Sequence, residues 1–388
     1  MKYLLTLPAL CLAMCLLYLA HGADARAGSH GVNTELAGIK VTTNVDSALA
    51  RDLLMTGNRA ALTRLDCHSV DDLPSAAILR EITTTYSTDT ATALLIKCLA
   101  DIPEIRRSQA LFLTELEHRR NGHAVQANYI SARANQYTVL FVPGWGYLSN
   151  GDDTGSNLRR PRQIIAAMGF ETRLVPIADF GSVENNARTL ADYLLGQLQR
   201  GKRIILASAS SGGPAVALAL GDPDIADHPM LAGWINICGV LRGSPMVDRF
   251  QSWPKSLLPR LVAMFEGWTY KEFLSLSRSR GGSRFDQFER PPQLTILNYI
   301  GIPFSGQLSP TGRRFYTLLR DMGPNDGLTL ITEALAPGYT VMAVGSDHFI
   351  REDPDIDMKT AALVPVLLRL IEGQKIQSGH FSAKSMFR

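Results

Sequence analysis

Three serines in four positions, followed at once by two glycines, stand in the stretch ILASASSGGPAVALAL, residues 205–220. A serine hydroxyl attacks a carbonyl when a base takes its proton, an acid orients that base, and N–H donors receive the oxyanion. A β-rich run from Arg203 to Leu206 enters the stretch, and a helix-compatible run from Pro214 to Leu220 leaves it. A nucleophile on such a strand-to-helix turn is strained, and the crowding demands small residues two before and two after it. Ser210 meets that demand, with Ser208 and Gly212 as flanks and Gly213 beyond. A nucleophilic Ser208 would place Leu206 in the crowded position. Ser211 fits on size, between Ala209 and Gly213, but requires a strand one residue longer. The plainer alternative is a Ser/Gly-rich turn without chemistry.

The partners of such a serine belong at the ends of other strands. TVLFVPGWGYLSN offers Pro143-Gly144-Trp145-Gly146, a turn whose N–H can face the nucleophile. Trp145 is the expected oxyanion donor, beside the N–H of Ser211. YTVMAVGSDHFIRED supplies the base: His348 follows directly on an apolar strand and Gly345, whereas His228 sits in a Pro-rich acidic loop. The acid is expected between serine and histidine in chain order. Asp326, in the turn PNDG, is the choice; Asp321 is expected to end a helix, and Asp347 adjoins the histidine itself.

These residues need a scaffold. From about residue 125 onward, short apolar or β-branched runs alternate with helical ones, from YTVLFV to TAALVPVLLRLIEG. That alternation predicts a parallel sheet with helices on both faces, with its site at the carboxyl ends of the strands. Residues 126–373 resemble an α/β-hydrolase of the lipase and carboxylesterase branch. The resemblance rests on FVPGWG, SASSGG, NDGL and GSDHF, and on the strand and loop INICGVLRGSPMVD. It implies a catalytic triad of Ser210, Asp326 and His348 and ester hydrolysis through an acyl-enzyme, without metal or organic cofactor. Two departures stand out: Pro143 replaces the usual loop histidine, and Ser208 the usual elbow glycine.

An insertion at about 241–292 contains WPKSLLPRLVAMFEGWTYKEFLSL. Its length and apolar density predict a helical lid with Trp253, Leu261, Phe265 and Trp268 as substrate-binding residues. A helix packed on the sheet is the simpler alternative. The lid reading brings with it contact with a lipid or membrane surface. The expected partner is a small-molecule or lipid ester.

Upstream, residues 26–125 read as a helical region, from SALARDLLMTGNRAALTRL to RRSQALFLTELEHRR, without a catalytic motif. His68, His118 and His123 stand isolated there, which points to ordinary core or surface histidines. The first 28 residues carry Lys2, an apolar run from Tyr3 to Ala20, and then the small residues of AHGADARAG, with residues 1–25 as the expected signal. This is the layout of a cleaved secretory signal, and hence of a periplasmic or secreted protein. An uncleaved anchor is the alternative. Cys11 and Cys15 lack the small residue before Cys that a lipid-anchor signal needs. Past the signal, Cys67 and Cys98 could pair in an oxidising compartment, while Cys238, in an apolar strand-like run, is expected to be buried and free. The net charge of +3 on 388 residues gives no ground for nucleic-acid binding. An acyltransferase or thioesterase with the same triad, or a non-catalytic binding protein on a hydrolase fold, are the rival readings.

Overall fold

The computed structural model describes residues 28–57, 67–122, 125–252 and 255–385. The signal segment and Trp253 lie outside them. The chain opens on an antiparallel hairpin, β1 (His30–Leu36) and β2 (Ile39–Val45). This corrects the all-helical reading of 26–125. Ala37 and Gly38 form the two-residue turn, both at positive φ (50° and 78°), the backbone that matches strand twist. Val32, Leu36, Val41 and Val45 are its buried residues. The Val/Thr-rich IKVTTNV was the available strand signal.

Four helices follow as expected: α1 (Ala48–Thr56), α2 (Ala76–Thr85), α3 (Thr88–Asp101) and α4 (Pro103–Arg120). Ser47, Ser75 and Ser87 cap the first three, each accepting a backbone N–H of the first turn. Cys67 and Cys98 form a disulfide, with Cα atoms 5.3 Å apart, and Cys238 is free and buried.

After α5 (Val125–Ala134) the predicted alternation appears, with the short helices α6 (Gly151–Thr154) and α10 (Pro223–Ala226) in its connections. The strands are β3 (Tyr137–Val142), β4 (Glu171–Leu174), β5 (Arg203–Ala209), β6 (Leu231–Ile237), β7 (Thr295–Ile302) and β8 (Tyr339–Val344). They form one parallel sheet in the order β4-β3-β5-β6-β7-β8. This is an α/β-hydrolase fold. Every residue of β3, β6, β7 and β8 is buried, as strands covered on both faces must be. Leu140 and Val142 face α8 (Val183–Leu198) and α9 (Gly212–Ala219), in one core with Leu190, Leu194 and Val216. Val139 and Phe141 face α7 (Arg159–Ala167), α4 and the long α16 (Ile356–Ser385), in a core with Phe112, Ile165 and Leu367. The strand order reverses between β3 and β5, and the crevice of an open α/β sheet lies at such a point.

The N-terminal helices are part of this architecture rather than an appendage. β8 is an edge strand, and α4 covers it. Ser108 Oγ donates to Thr340 O (2.6 Å) and accepts from Thr340 N (3.3 Å). Gln109 Nε2 donates to Met342 O (3.4 Å), and its Oε1 accepts from Met342 N (2.9 Å). Two buried side chains thereby pair the outward main-chain groups of Thr340 and Met342 on this edge. Gln109→Leu removes both partners of Met342 while keeping the volume. The variant should lose about 1–3 kcal/mol, the cost of buried unpaired backbone groups. A urea midpoint equal to that of the wild type would show that α4 does not hold the edge.

Candidate active site

β5 ends in the strained turn that the sequence demands. Ser210 takes a left-handed backbone, φ 51°, a conformation costing a non-glycine residue about 1–3 kcal/mol unless its surroundings enforce it. Three main-chain bonds do so: Ser210 N donates to Ile237 O, and Ser210 O accepts from Gly213 N and Val240 N, each at 3.1 Å. A Cβ at Gly212 would lie 2.6 Å from Val142 O and 2.7 Å from Pro143 O, which is why only glycine fits two residues beyond. Two residues before, Ser208 is fully buried and its Oγ accepts from Trp234 Nε1 at 2.8 Å. That indole explains a serine where the resembled family carries glycine: the buried N–H needs an acceptor. Ser211 is the N-cap of α9.

His348 follows β8 and Gly345, whose φ of 94° turns the chain back over the strand ends. Its Nε2 lies 3.0 Å from Ser210 Oγ, and its Nδ1 lies 2.8 Å from Asp326 Oδ2. Asp326 is buried, and its other oxygen accepts from Leu328 N (2.9 Å) and Thr329 N (2.8 Å). The main-chain oxygen of Asp326 also accepts from His348 N at 2.8 Å, so one turn holds the histidine by backbone and by ring. Asp321 is exposed and pairs with Arg320 (3.6 Å), and Asp347 turns away to Ser309 N (2.8 Å). His228 accepts from Met230 N through Nδ1 at 3.2 Å. The structure therefore brings Ser210, His348 and Asp326 together and leaves their sequence competitors aside.

Trp145 follows β3, the strand beside β5, as Ser210 follows β5. The N–H groups of its neighbours are engaged, Gly144 N by Ser156 O (3.0 Å) and Gly146 N by Asp179 O (2.9 Å). Among the described residues, the N–H groups of Trp145 and Ser211 donate to no acceptor. The indole of Trp145 packs edge-on against Phe180 (5.4 Å) and Trp268 (5.9 Å).

A cavity of ≈580 Å³ opens at Ser210 and His348. Its apolar wall includes Leu158, Ile237, Tyr299, Ile356 and Leu363, so it runs down the α7–α16 face of the sheet. Cys238 also lines it, but burial, and secondarily the charge of Asp326, pushes that thiol well above its ordinary range. A neutral thiol is no rival nucleophile. A larger cavity, ≈790 Å³, lies behind the histidine loop and touches neither Ser210 nor His348.

The lid expectation needs correction. The insertion does form helices, α11 (Pro245–Arg249), α12 (Leu257–Glu266), α13 (Tyr270–Leu274) and α14 (Arg278–Phe285). None of its described residues lines the cavity; the segment 151–163 covers it instead. Leu261 is 45% exposed, as are Leu257 and Met264 on the same helix face (49% and 79%). The side chain of Phe265 lies outside the described residues. Among the described side chains of the expected four, Trp268 comes near the site, and it does so by bracing Trp145. The sequence signal was composition, and composition does not distinguish a cover from a buttress. The apolar cavity-lining residues missed by that reasoning, Leu158 just before α7, Ile237 on β6, Tyr299 on β7 and Ile356 and Leu363 on α16, are ordinary apolar positions without a local signal.

No family model and no curated protein matches this chain. Among solved structures, it is similar to a metagenomic carboxyl esterase, at 20% identity and a TM-score of 0.49, covering 62% of this chain and 76% of that one. It is also similar to a Bacillus licheniformis lipase in mature form, at 21% identity and a TM-score of 0.45, covering 60% and 91%. At these identities the likeness is one of fold.

The turn geometry carries a direct test. In Gly212→Ala the new methyl must displace the Val142 carbonyl. Phosphonylation of Ser210 by a fluorophosphonate should slow by about 100-fold, the scale of an ångström-sized misplacement. Gly196→Ala, on α8 with open space at its Cβ, should label at the wild-type rate. Equal labelling of the two variants would refute the crowding argument.

Proposed function

We propose that the chain is an exported serine hydrolase of carboxylic esters, working through an acyl-enzyme on Ser210. The observation that carries this reading is the hydrogen-bonded series Ser210 Oγ, His348 and Asp326 Oδ2, 3.0 and 2.8 Å, at the mouth of an apolar cavity. His348 Nε2 takes the hydroxyl proton as Ser210 Oγ bonds to the ester carbonyl carbon. The carbonyl oxygen becomes an oxyanion facing the unengaged N–H groups of Trp145 and Ser211. One such donor contributes about 3 kcal/mol to the transition state. Collapse expels the alcohol, protonated by the His348 imidazolium. Water, deprotonated by His348, then attacks the acyl carbonyl, and the carboxylic acid leaves as Ser210 regains its proton. Asp326 holds the ring in the tautomer that keeps Nε2 free to accept.

The acyl group belongs in the cavity beneath Ser210, the one apolar space adjoining the hydroxyl among the described residues. The exposed face of α12, Leu257, Leu261 and Met264 with the exposed Lys255 and Arg260 close by in the chain, supports contact with a lipid surface as a separate role. The signal-like amino terminus and the Cys67–Cys98 disulfide support export, since disulfides persist in oxidising compartments.

Ser210→Ala should lower ester hydrolysis by at least about 10⁴-fold, as loss of a triad nucleophile does. Undiminished turnover by that variant sinks the reading, and acyl transfer to an added alcohol in place of hydrolysis by the wild type would redirect it to an acyltransferase. With p-nitrophenyl esters of increasing length, kcat/KM should rise until the cavity fills, by about 0.8 kcal/mol, roughly fourfold, per CH₂. Leu363→Trp should cut that rise short, and Leu261→Ser should leave it intact. The reverse pattern would return the acyl site to the insertion.

A further inference from the structure

The histidine loop contains a second buried carboxylate that the proposed chemistry does not use. Asp347 is 3% exposed, directly precedes His348, and spends both oxygens on main-chain donors. Oδ1 accepts from Phe349 N at 2.9 Å, across His348; Oδ2 accepts from Ser309 N at 2.8 Å, just ahead of α15 (Pro310–Leu319). The fit about this group is close on two sides. A Cβ at Gly312, in the first turn of α15, would lie 1.9 Å from Asp347 Oδ2. A Cβ at Gly301, on β7, would lie 2.7 Å from Ser346 O and 2.8 Å from Asp347 O. Phe349 stacks on Phe315 of the same helix, with ring centroids 5.7 Å apart.

The geometry points to Asp347 as a positioning residue for His348, acting through the backbone and not through the reacting atoms. Asp326 fixes His348 from one side, by its main-chain oxygen and its carboxylate. Asp347 fixes the same loop from the other side, by tying residue 349 to the start of α15. With both ties present, the imidazole is held between Asp326 and Ser210 with little freedom to swing. Without the Asp347 tie, two part-buried N–H groups, Phe349 N and Ser309 N, lose their acceptor, and the loop is free to shift. The serine–histidine distance then opens, and of the cavity wall only the part from the same loop, His348 to Arg351, moves with it, while the floor from β6, β7 and α16 stays in place. The effect belongs in kcat and in nucleophile reactivity, not in KM. This inference rests on the hydrolase reading above.

The test compares purified full-length wild type, Asp347→Ala, Asp347→Asn and Ser75→Ala in p-nitrophenyl ester turnover, fluorophosphonate labelling and thermal unfolding. Ser75→Ala removes the N-cap of α2 and supplies a destabilised control away from the site. Asp347→Ala should lower kcat and the labelling rate by about 10–100-fold, with KM within about threefold, as a misplaced base does. Asp347→Asn keeps one acceptor oxygen and should recover part of the loss, ending about 3–10-fold below wild type. Ser75→Ala should lose stability and keep kcat. Where Asp347→Ala does not fold, Asp347→Asn carries the same test. A kcat within twofold of wild type for the folded variant, or a loss matched by Ser75→Ala, overturns the positioning role. A wild type that neither labels nor turns over overturns the hydrolase reading itself, and the inference with it.

Discussion

The site depends on one residue held where an L-amino acid resists being. Ser210 at φ 51° lifts its hydroxyl clear of the strand ends. That conformation persists because Ile237 O at the end of β6 accepts from it and Val240 N in the following loop donates to it, and because the glycine beyond lets the chain pass under β3. The requirement spreads outward. The indole of Trp234 satisfies Ser208 from within the sheet, and the turn after β3 must pass close enough to offer its N–H. The strand order, with β3 and β5 adjacent at the reversal point, makes that approach possible.

Histidine and acid come from further along the sheet, and their placement follows from polar accounting in the interior. Asp326 is buried with three donors on its carboxylate, counting the His348 ring, and Asp347 with two. A buried carboxylate is tolerated when its oxygens are met in this way. The loop between β8 and α16 is therefore fixed at both neighbours of the reacting ring. The hydrophobic floor of the cavity is built from residues whose first role is to pack α7 and α16 on the sheet. Function here occupies a gap left in an otherwise closely packed layer.

The amino-terminal helices extend the same logic to the edge of the sheet. A parallel sheet exposes a row of unpaired main-chain groups at each edge, and such rows invite association with other chains. At β8 the row is met by Ser108 and Gln109, and the adjoining core joins Leu94, Leu95 and Ile105 to Ile300, Ile302 and Met342. The strand that delivers His348 is thus supported by a part of the chain with no catalytic motif.

Much of this was legible in the sequence. The alternation of apolar runs placed β3 to β8, because period and residue type report burial directly. The order of Ser210, Asp326 and His348, with Ser210 and His348 just past strands and Asp326 in a turn between them, named the three residues that the fold brings within hydrogen-bond reach. Their signal is local: a nucleophile turn needs small residues at fixed offsets, and PNDG and GSDH announce turns by composition. The hairpin at 30–45 escaped notice because its Ala-Gly turn lacks the usual Asn or Asp. Other features had no local signal at all. The cover of the cavity, the buttressing of Trp145 by Trp268, the capture of Ser208 by Trp234 and the tie from Asp347 to α15 each join residues far apart in the chain. A sequence determines what each residue can do within its own turn or strand. Which apolar helix covers a cavity, and which carboxylate finds which N–H, is decided when the layers pack, because only then is the distance between remote residues fixed.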